Sequence, residues 1–182
     1  MFTDMHWFNP PAAWSAQGDH LTVTTAPKSD FWRKTHYGFT RDSGHFFYQE
    51  VQGDFEVTLR VTSGYKDLYD QAGLMLRVDE ENWIKTGIEF FDQQQHASAV
   101  VTRQFSDWSV TPLPDNPASL WLRVTRKAEA VEVFYSLDGQ TYTLLRLAYL
   151  VPSETTQVGP MCASPDGTGF QVTFEDFQVR PL

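Results

Sequence analysis

One segment of eight residues, 83–90 with the sequence WIKTGIEF, combines residue types that could bind a polar ligand. Successive side chains of a strand point to opposite faces, so its apolar residues Ile84, Ile88 and Phe90 share one face. The other face then holds an aromatic ring, a cation, a bare backbone position and a carboxylate: Trp83, Lys85, Gly87 and Glu89. Sugar sites often use this mixture, because an aromatic ring packs on C–H groups while charged groups hydrogen-bond hydroxyls. The alternative is an ordinary solvated sheet face, on which Lys85 and Glu89 stand about 13 Å apart.

The preceding run, residues 68–77, adds an amide to the same surface. With the leucines of this run facing the core, Gln71 lies at the rim of the opposite face. If the two runs are neighbouring strands, Gln71 approaches Lys85 or Glu89. Asp70, just before it, has a simpler explanation, since an aspartate before a strand commonly caps a turn.

Two further segments pair an acid with a tryptophan, namely 29–32 (SDFW) and 106–109 (SDWS). We interpret both as loops, in which the tryptophans either edge a ligand site or plug the ends of the fold. The first interpretation gives one solvated constellation of Gln71, Trp83, Lys85 and Glu89, with Trp32, Asp107 and Trp108 on its rim. Since Lys85 and Glu89 are expected to lie outside the core, losing either should weaken ligand binding tenfold or more without unfolding the protein.

Other chemistry has little support in the sequence. A glycosidase needs two carboxyls roughly 5 to 9.5 Å apart, and no acid shares the predicted face of Glu89. The five histidines lack the paired spacing of zinc ligands. Cys162 lies in an apolar run and is expected to be a buried, inert thiol, and the glycine-rich 165–169 lacks the residues of a phosphate loop. We therefore predict no catalytic residue, no metal and no cofactor.

Strands must position these residues, because period-two alternation recurs along the chain between Gly, Pro, Asp and Asn turn signals. No stretch shows the 3.6-residue apolar stripe of a helix. Asp138-Gly139 predicts a hairpin turn. Two antiparallel sheets packed face to face would bury all of these runs. We predict about eleven strands: Leu21–Thr25, His45–Val51, Phe55–Val61, Ala72–Val78, Trp83–Phe91, Ala97–Arg103, Leu120–Arg126, Val131–Ser136, Tyr142–Leu147, Gln157–Ala163 and Gln171–Val179.

Chain length and net charge limit the number of domains and the kinds of partner that the protein can have. The 182 residues, 15% of them aromatic, are enough for a single domain over 1–182 with a large core. The net charge of -9 disfavours nucleic acid and anionic membranes as partners. A lone cysteine, no signal-like amino terminus and no long apolar run predict a cytoplasmic protein.

Six short motifs occur in order along the chain: DFW (30–32), GDF (53–55), YDQAGL (69–74), WIKTGIE (83–89), VVT (100–102) and SDWS (106–109). Together they resemble a family of concanavalin A-like domains named for a yeast regulation-of-enolase protein. The resemblance implies an all-β, concanavalin A-like jelly-roll sandwich of two antiparallel sheets, and it supplies no catalytic residues.

The sequence thus favours a non-catalytic cytoplasmic binding domain, whose concave sheet face accepts a carbohydrate-like or other small polar ligand. One alternative is a protein-interaction or regulatory module that acts on a metabolic enzyme. A third, weaker hypothesis is a glycoside-active enzyme. Fold relatives that bind or cut sugars support these hypotheses by analogy alone.

Overall fold

The computed structural model describes residues 2–182, which form strands, turns and bends without a helix. No helix that could span a membrane therefore occurs in this range. The strands are β1 (His6–Phe8), β2 (Ala13–Gln17), β3 (His20–Thr24), β4 (Phe31–Arg33), β5 (Thr40–Asp42), β6 (His45–Gln52), β7 (Phe55–Ser63), β8 (Gln71–Arg77), β9 (Asn82–Phe91), β10 (Gln94–Arg103), β11 (Phe105–Pro112), β12 (Ser119–Lys127), β13 (Ala130–Ser136), β14 (Thr143–Tyr149), β15 (Thr155–Ala163) and β16 (Gln171–Pro181).

Two seven-stranded antiparallel sheets pack face to face. The first sheet has the order β1-β6-β15-β8-β9-β10-β11, and the second has the order β14-β13-β12-β7-β16-β3-β2. The short strands β4 and β5 pair only with each other and form a separate hairpin. The predicted all-β sandwich of two antiparallel sheets is confirmed.

The alternation in β7 explains why these residues build a sandwich. Its odd-numbered residues from Phe55 to Val61 are at most 1% exposed, and they face the other sheet across the main core. Full burial of each such side chain contributes roughly 1.5–3 kcal/mol, so this row strongly favours one register. Cys162 lies in the same core, where burial raises the pKa of its thiol.

A second, smaller apolar cluster covers part of the outer face of the first sheet. We call it the outer cluster; it consists of Phe31, Phe46, Met75, Trp83, Val100 and Met161. Phe31 comes from the β4–β5 hairpin, which lies over this face. The first sheet is therefore apolar on both faces where the hairpin covers it, and polar side chains on its outer face occur beside the hairpin.

All eleven predicted strands occur, and five more were not predicted: β1, β2, β4, β5 and β11. The loop interpretation of 29–32 and 106–109 was wrong for most of these residues, because Phe31 and Trp32 lie in β4 and 106–109 lie within β11. The strand β11 is at the edge of its sheet and pairs with β10 along its whole length. Half of its side chains are exposed and only Ser106 is buried, so it needs no apolar alternation and the period-two signal was missing.

Candidate functional site

The site begins with three polar side chains on the outer face of the first sheet. Adjacent strands β8 and β9 place Gln71 directly opposite Glu89, and Lys85 lies on the same face of β9, four residues before Glu89. We call Gln71, Lys85 and Glu89 the polar floor. Each of the three is at most 7% exposed, so the floor is buried. The expectation that these side chains would be solvated was wrong, because the hairpin and the aromatic residues around them exclude most solvent.

Lys85 ties the hairpin to the sheet. Its Nζ donates hydrogen bonds to Gln71 Oε1 (2.5 Å) and to the backbone carbonyl oxygen of Phe31 (2.7 Å). The same nitrogen lies 3.6 Å from Asp30 Oδ1, which also accepts a hydrogen bond from the Phe31 amide. The ammonium group is thus surrounded by acceptors from the protein itself. It anchors the hairpin to the sheet and also forms part of the polar floor.

Glu89 is held by one of its two carboxylate oxygens. Oε2 accepts hydrogen bonds from Ser98 Oγ (2.8 Å) and Trp108 Nε1 (2.8 Å). Among residues 2–182, no group donates to Oε1, and Glu89 lines a cleft. Burial raises the pKa of Glu89, and nearby Lys85 with the two hydrogen bonds opposes only part of that effect. Glu89 therefore presents an acceptor without a protein partner to whatever enters the cleft.

Aromatic side chains wall the cleft, whose volume is about 130 Å³. Trp32, Tyr37 and Phe39 come from the hairpin, whereas Tyr69 and Trp108 stand on the other side. The last two rings meet edge to face with their centroids 6.3 Å apart. The remaining lining residues are Asp30, Arg41, Pro165 and Asp166. The arrangement can pack C–H surface against its walls while its floor hydrogen-bonds hydroxyl groups.

Tyr69 has a backbone conformation that is uncommon for an aromatic residue, with φ of 65°. The Tyr69 amide donates to the Phe90 carbonyl (2.7 Å), and Gln71 Nε2 donates to the Tyr69 carbonyl (3.2 Å). Its hydroxyl lies 3.4 Å from that of Tyr37, a contact that, more than burial, raises the pKa of Tyr69 to about 12. Asp70 caps the preceding turn through its carboxylate, as its simpler explanation required.

Five of the seven residues that the sequence predicted for this site line the cleft: Trp32, Gln71, Lys85, Glu89 and Trp108. Trp83 does not, because Phe31 packs against it with ring centroids 6.3 Å apart and leaves it 1% exposed. Asp107 does not either, because alternation in β11 turns it away from Trp108 and it pairs with Arg146 at 3.2 Å. Neither residue can stack on or hydrogen-bond to a ligand in the cleft.

Seven lining residues were absent from the predicted site: Asp30, Tyr37, Phe39, Arg41, Tyr69, Pro165 and Asp166. Two of them had a usable signal, since Asp30 precedes Phe31-Trp32 and Tyr69 begins the YDQAGL motif. The others lie in the hairpin or in a distant loop, and only the fold brings them together. Among residues 2–182, no group of three or more His, Cys, Asp and Glu side chains is placed to hold a metal ion.

Residues 7–182 match the profile of the family described as "Protein of unknown function (DUF1349)". The chain belongs to this family. A curated relative of this DUF1349 chain is "Regulation of enolase protein 1" of Saccharomyces cerevisiae, which is 41% identical over 173 residues, 95% of this chain and 87% of the yeast protein. The resemblance inferred from the six motifs is confirmed.

Solved structures share the fold of the DUF1349 chain. A functionally unknown protein from Saccharomyces cerevisiae superposes with a TM-score of 0.96 at 39% identity, over 100% of this chain and 98% of that one. The Bacteroides ovatus protein "Xyloglucan PUL GH43B" gives 0.75 at 19% identity, over 99% of this chain but 37% of its own. The carbohydrate-binding module CBM66 from Bacillus subtilis gives 0.60 at 10% identity, covering 96% and 94%. The last two identities are low, so these two structures show a common jelly-roll fold alone.

Proposed function

We propose that this protein is a non-catalytic binding domain whose cleft takes a small, carbohydrate-like ligand. The observation that carries the proposal is the free oxygen of Glu89 at the floor of an aromatic-walled cleft. Oε1 accepts no hydrogen bond from residues 2–182 and is not enclosed by the protein, so it is open to a donor from a ligand in the cleft. A hydroxyl group is such a donor.

The walls supply the complementary part of sugar recognition. A sugar ring has apolar C–H faces and polar hydroxyl edges, and the cleft has aromatic side chains around a polar floor. A hydrogen bond to a charged group contributes roughly 1.5–3 kcal/mol, and an aromatic contact adds buried apolar area. The hydrogen bond and the aromatic contact act together only for a ligand that is apolar on its faces and polar at its edge.

The carboxyls of the cleft support binding without turnover. Glycosidases use two carboxyls on opposite sides of the bond that they cut. Asp30 is engaged by Lys85 and by the Phe31 amide, whereas Asp166 lines the cleft from a loop outside the polar floor. Glu89 is thus the single carboxyl of the polar floor, which we take to favour binding over turnover.

A matched pair of variants tests the proposal. In Glu89→Gln, the Trp108 N–H still requires an acceptor, so the amide nitrogen turns to the cleft and replaces an acceptor by a donor. Glu154→Gln makes the same change at an exposed position. Calorimetric titration with neutral monosaccharides should show at least tenfold weaker binding for Glu89→Gln, or about 1.4 kcal/mol, and no change for Glu154→Gln. Equal affinities in both variants would remove the cleft from consideration.

A second candidate function is a regulatory module that contacts a metabolic enzyme. The name of the yeast relative points to enolase, and the edge strand β14 exposes Leu144, Leu147 and Tyr149. An exposed apolar row of this kind suits a protein partner. Purified enolase should then bind the parent protein but not Leu147→Lys, whereas sugar binding should be equal in both. If enolase binds neither protein, this second function fails. We propose a cytoplasmic location for either function, to be checked by cell fractionation.

A further inference from the structure

The size of the cleft is the first sign of what fits inside it. Its volume of about 130 Å³ is close to that of a protein cavity of about 150 Å³ that accommodates benzene. The enclosed part of the cleft therefore has room for about one six-membered ring, and the rest of the cleft is open to solvent. A groove that binds the internal units of a polysaccharide would need to continue at both ends.

The outer face of the first sheet does not continue the cleft beyond the hairpin, because the outer cluster fills that part of it. Between the cluster and the floor there is a small pit beside Gly87 of β9, lined also by Met161 of the outer cluster and by the three residues of the polar floor. The pit has a volume of about 10 Å³, which is barely enough for one water molecule. A second sugar ring cannot be placed in this direction.

On the side of Trp108, a stack of rings adjoins the cleft. Phe91 lies two residues beyond Glu89 on the same strand and stacks on His96 with centroids 3.8 Å apart. Trp108 packs edge to face on Phe91, with centroids 5.2 Å apart. Because Trp108 also donates to Glu89, the stack is fixed against the floor.

Two tyrosines link the walls across the cleft. Tyr37 belongs to the hairpin and Tyr69 to the turn before β8, and their hydroxyl oxygens are 3.4 Å apart. The backbone hydrogen bonds around Tyr69 hold that side of the link, and Tyr37 packs on Trp32 and on Phe39. A chain running through the cleft would have to break this contact.

We infer that the cleft accepts a single sugar ring and excludes the internal units of a polysaccharide. The inference rests on the proposed function and names the size of its ligand. The floor and the walls then contact one ring on several sides.

Binding as a function of chain length tests this inference. The probes are D-xylose, D-glucose, D-galactose and D-fructose, with the disaccharide and trisaccharide of each sugar, titrated by calorimetry into the full chain. For any sugar that binds, the trisaccharide should bind no more than threefold more tightly than the monosaccharide. A tenfold or greater rise with length would overturn the single-ring inference and leave the proposed function standing. Failure of every probe to bind would overturn both.

The variant Tyr37→Ala tests the closure itself. Tyr37 is 48% exposed, so its removal should leave the fold intact, which circular dichroism and thermal melting would verify. Opening the tyrosine link should let the trisaccharide gain at least fivefold in affinity relative to the monosaccharide. The exposed Tyr149→Ala serves as the control and should not change this ratio. An unchanged ratio in Tyr37→Ala would show that the two tyrosines do not close the pocket.

Discussion

Replacing Lys85 by methionine should destabilise the protein strongly, although Lys85 lies on the outer face of a sheet. The substitution keeps the length of the side chain and removes its charge. It deletes the hydrogen bonds to Gln71 Oε1 and to the Phe31 carbonyl, and it leaves the buried Asp30 carboxylate without its cation. Breaking a buried ion pair from one side costs about 3–5 kcal/mol, because the remaining charge stays buried. We expect a loss of this size in the free energy of unfolding.

Urea unfolding followed by tryptophan fluorescence measures this loss, and thermal melting provides a second reading. For a protein of this size, 3–5 kcal/mol corresponds to a fall of roughly 6–20 °C in the melting temperature. The matched control is Lys127→Met, at an exposed position at the end of β12. Its free energy of unfolding should stay within about 0.5 kcal/mol of the parent.

Replacing a solvated lysine would change the free energy of unfolding by less than about 1 kcal/mol. A change this small in Lys85→Met would refute the structural role of Lys85. A double-mutant cycle separates the ion pair from the other contacts. Asp30→Asn added to Lys85→Met should recover part of the loss, because it removes the stranded negative charge. Strictly additive losses would show that the two charges do not stabilise each other.

The remaining predictions concern the cleft and its support. Trp83→Phe should leave sugar affinity within twofold, whereas Trp108→Phe should lower it at least fivefold because the indole N–H that holds Glu89 is lost; calorimetry compares the two. Burial raises the pKa of Glu89, so ionising this carboxyl destabilises the folded state. The free energy of unfolding of the parent should therefore fall relative to that of Glu89→Gln as pH rises above about 4.5. Urea unfolding at several pH values measures this fall. Gly73→Ala should cost about 1–3 kcal/mol, since its Cβ would overlap backbone of the facing strand, whereas Gly64→Ala meets open space and should cost far less.

The two sheets could be predicted from the sequence because their main determinant, the alternation of apolar and polar residues, is local. Alternation in segments such as β7 records which residues face the core, and the eleven strands with this signal were all predicted. The strands that were missed are short or lie at an edge, where exposed side chains carry no such period. Their pairing depends on neighbours that are remote in sequence.

The polar floor was predictable for the same reason, and its burial was not. Period-two spacing placed Lys85 and Glu89 on one face, and register then brought Gln71 to them. Nothing within β9 indicates that a hairpin from residues 31–42 covers that face. The sequence alone therefore predicts Trp83 as a ligand contact, whereas in the structure Phe31 packs on its buried ring.

The hairpin links stability to binding. It supplies Phe31 to the outer cluster and Trp32 and Tyr37 to the wall of the cleft, and Lys85 anchors it to the sheet. Folding thus places part of the cleft's wall, which would lower the side-chain entropy lost on binding the proposed ligand. It also follows that a loss of binding in a floor variant is informative only where the hairpin stays in place. Glu89→Gln meets this condition better than Lys85→Met, because Glu89 contacts Ser98 and Trp108 and makes no hydrogen bond to the hairpin.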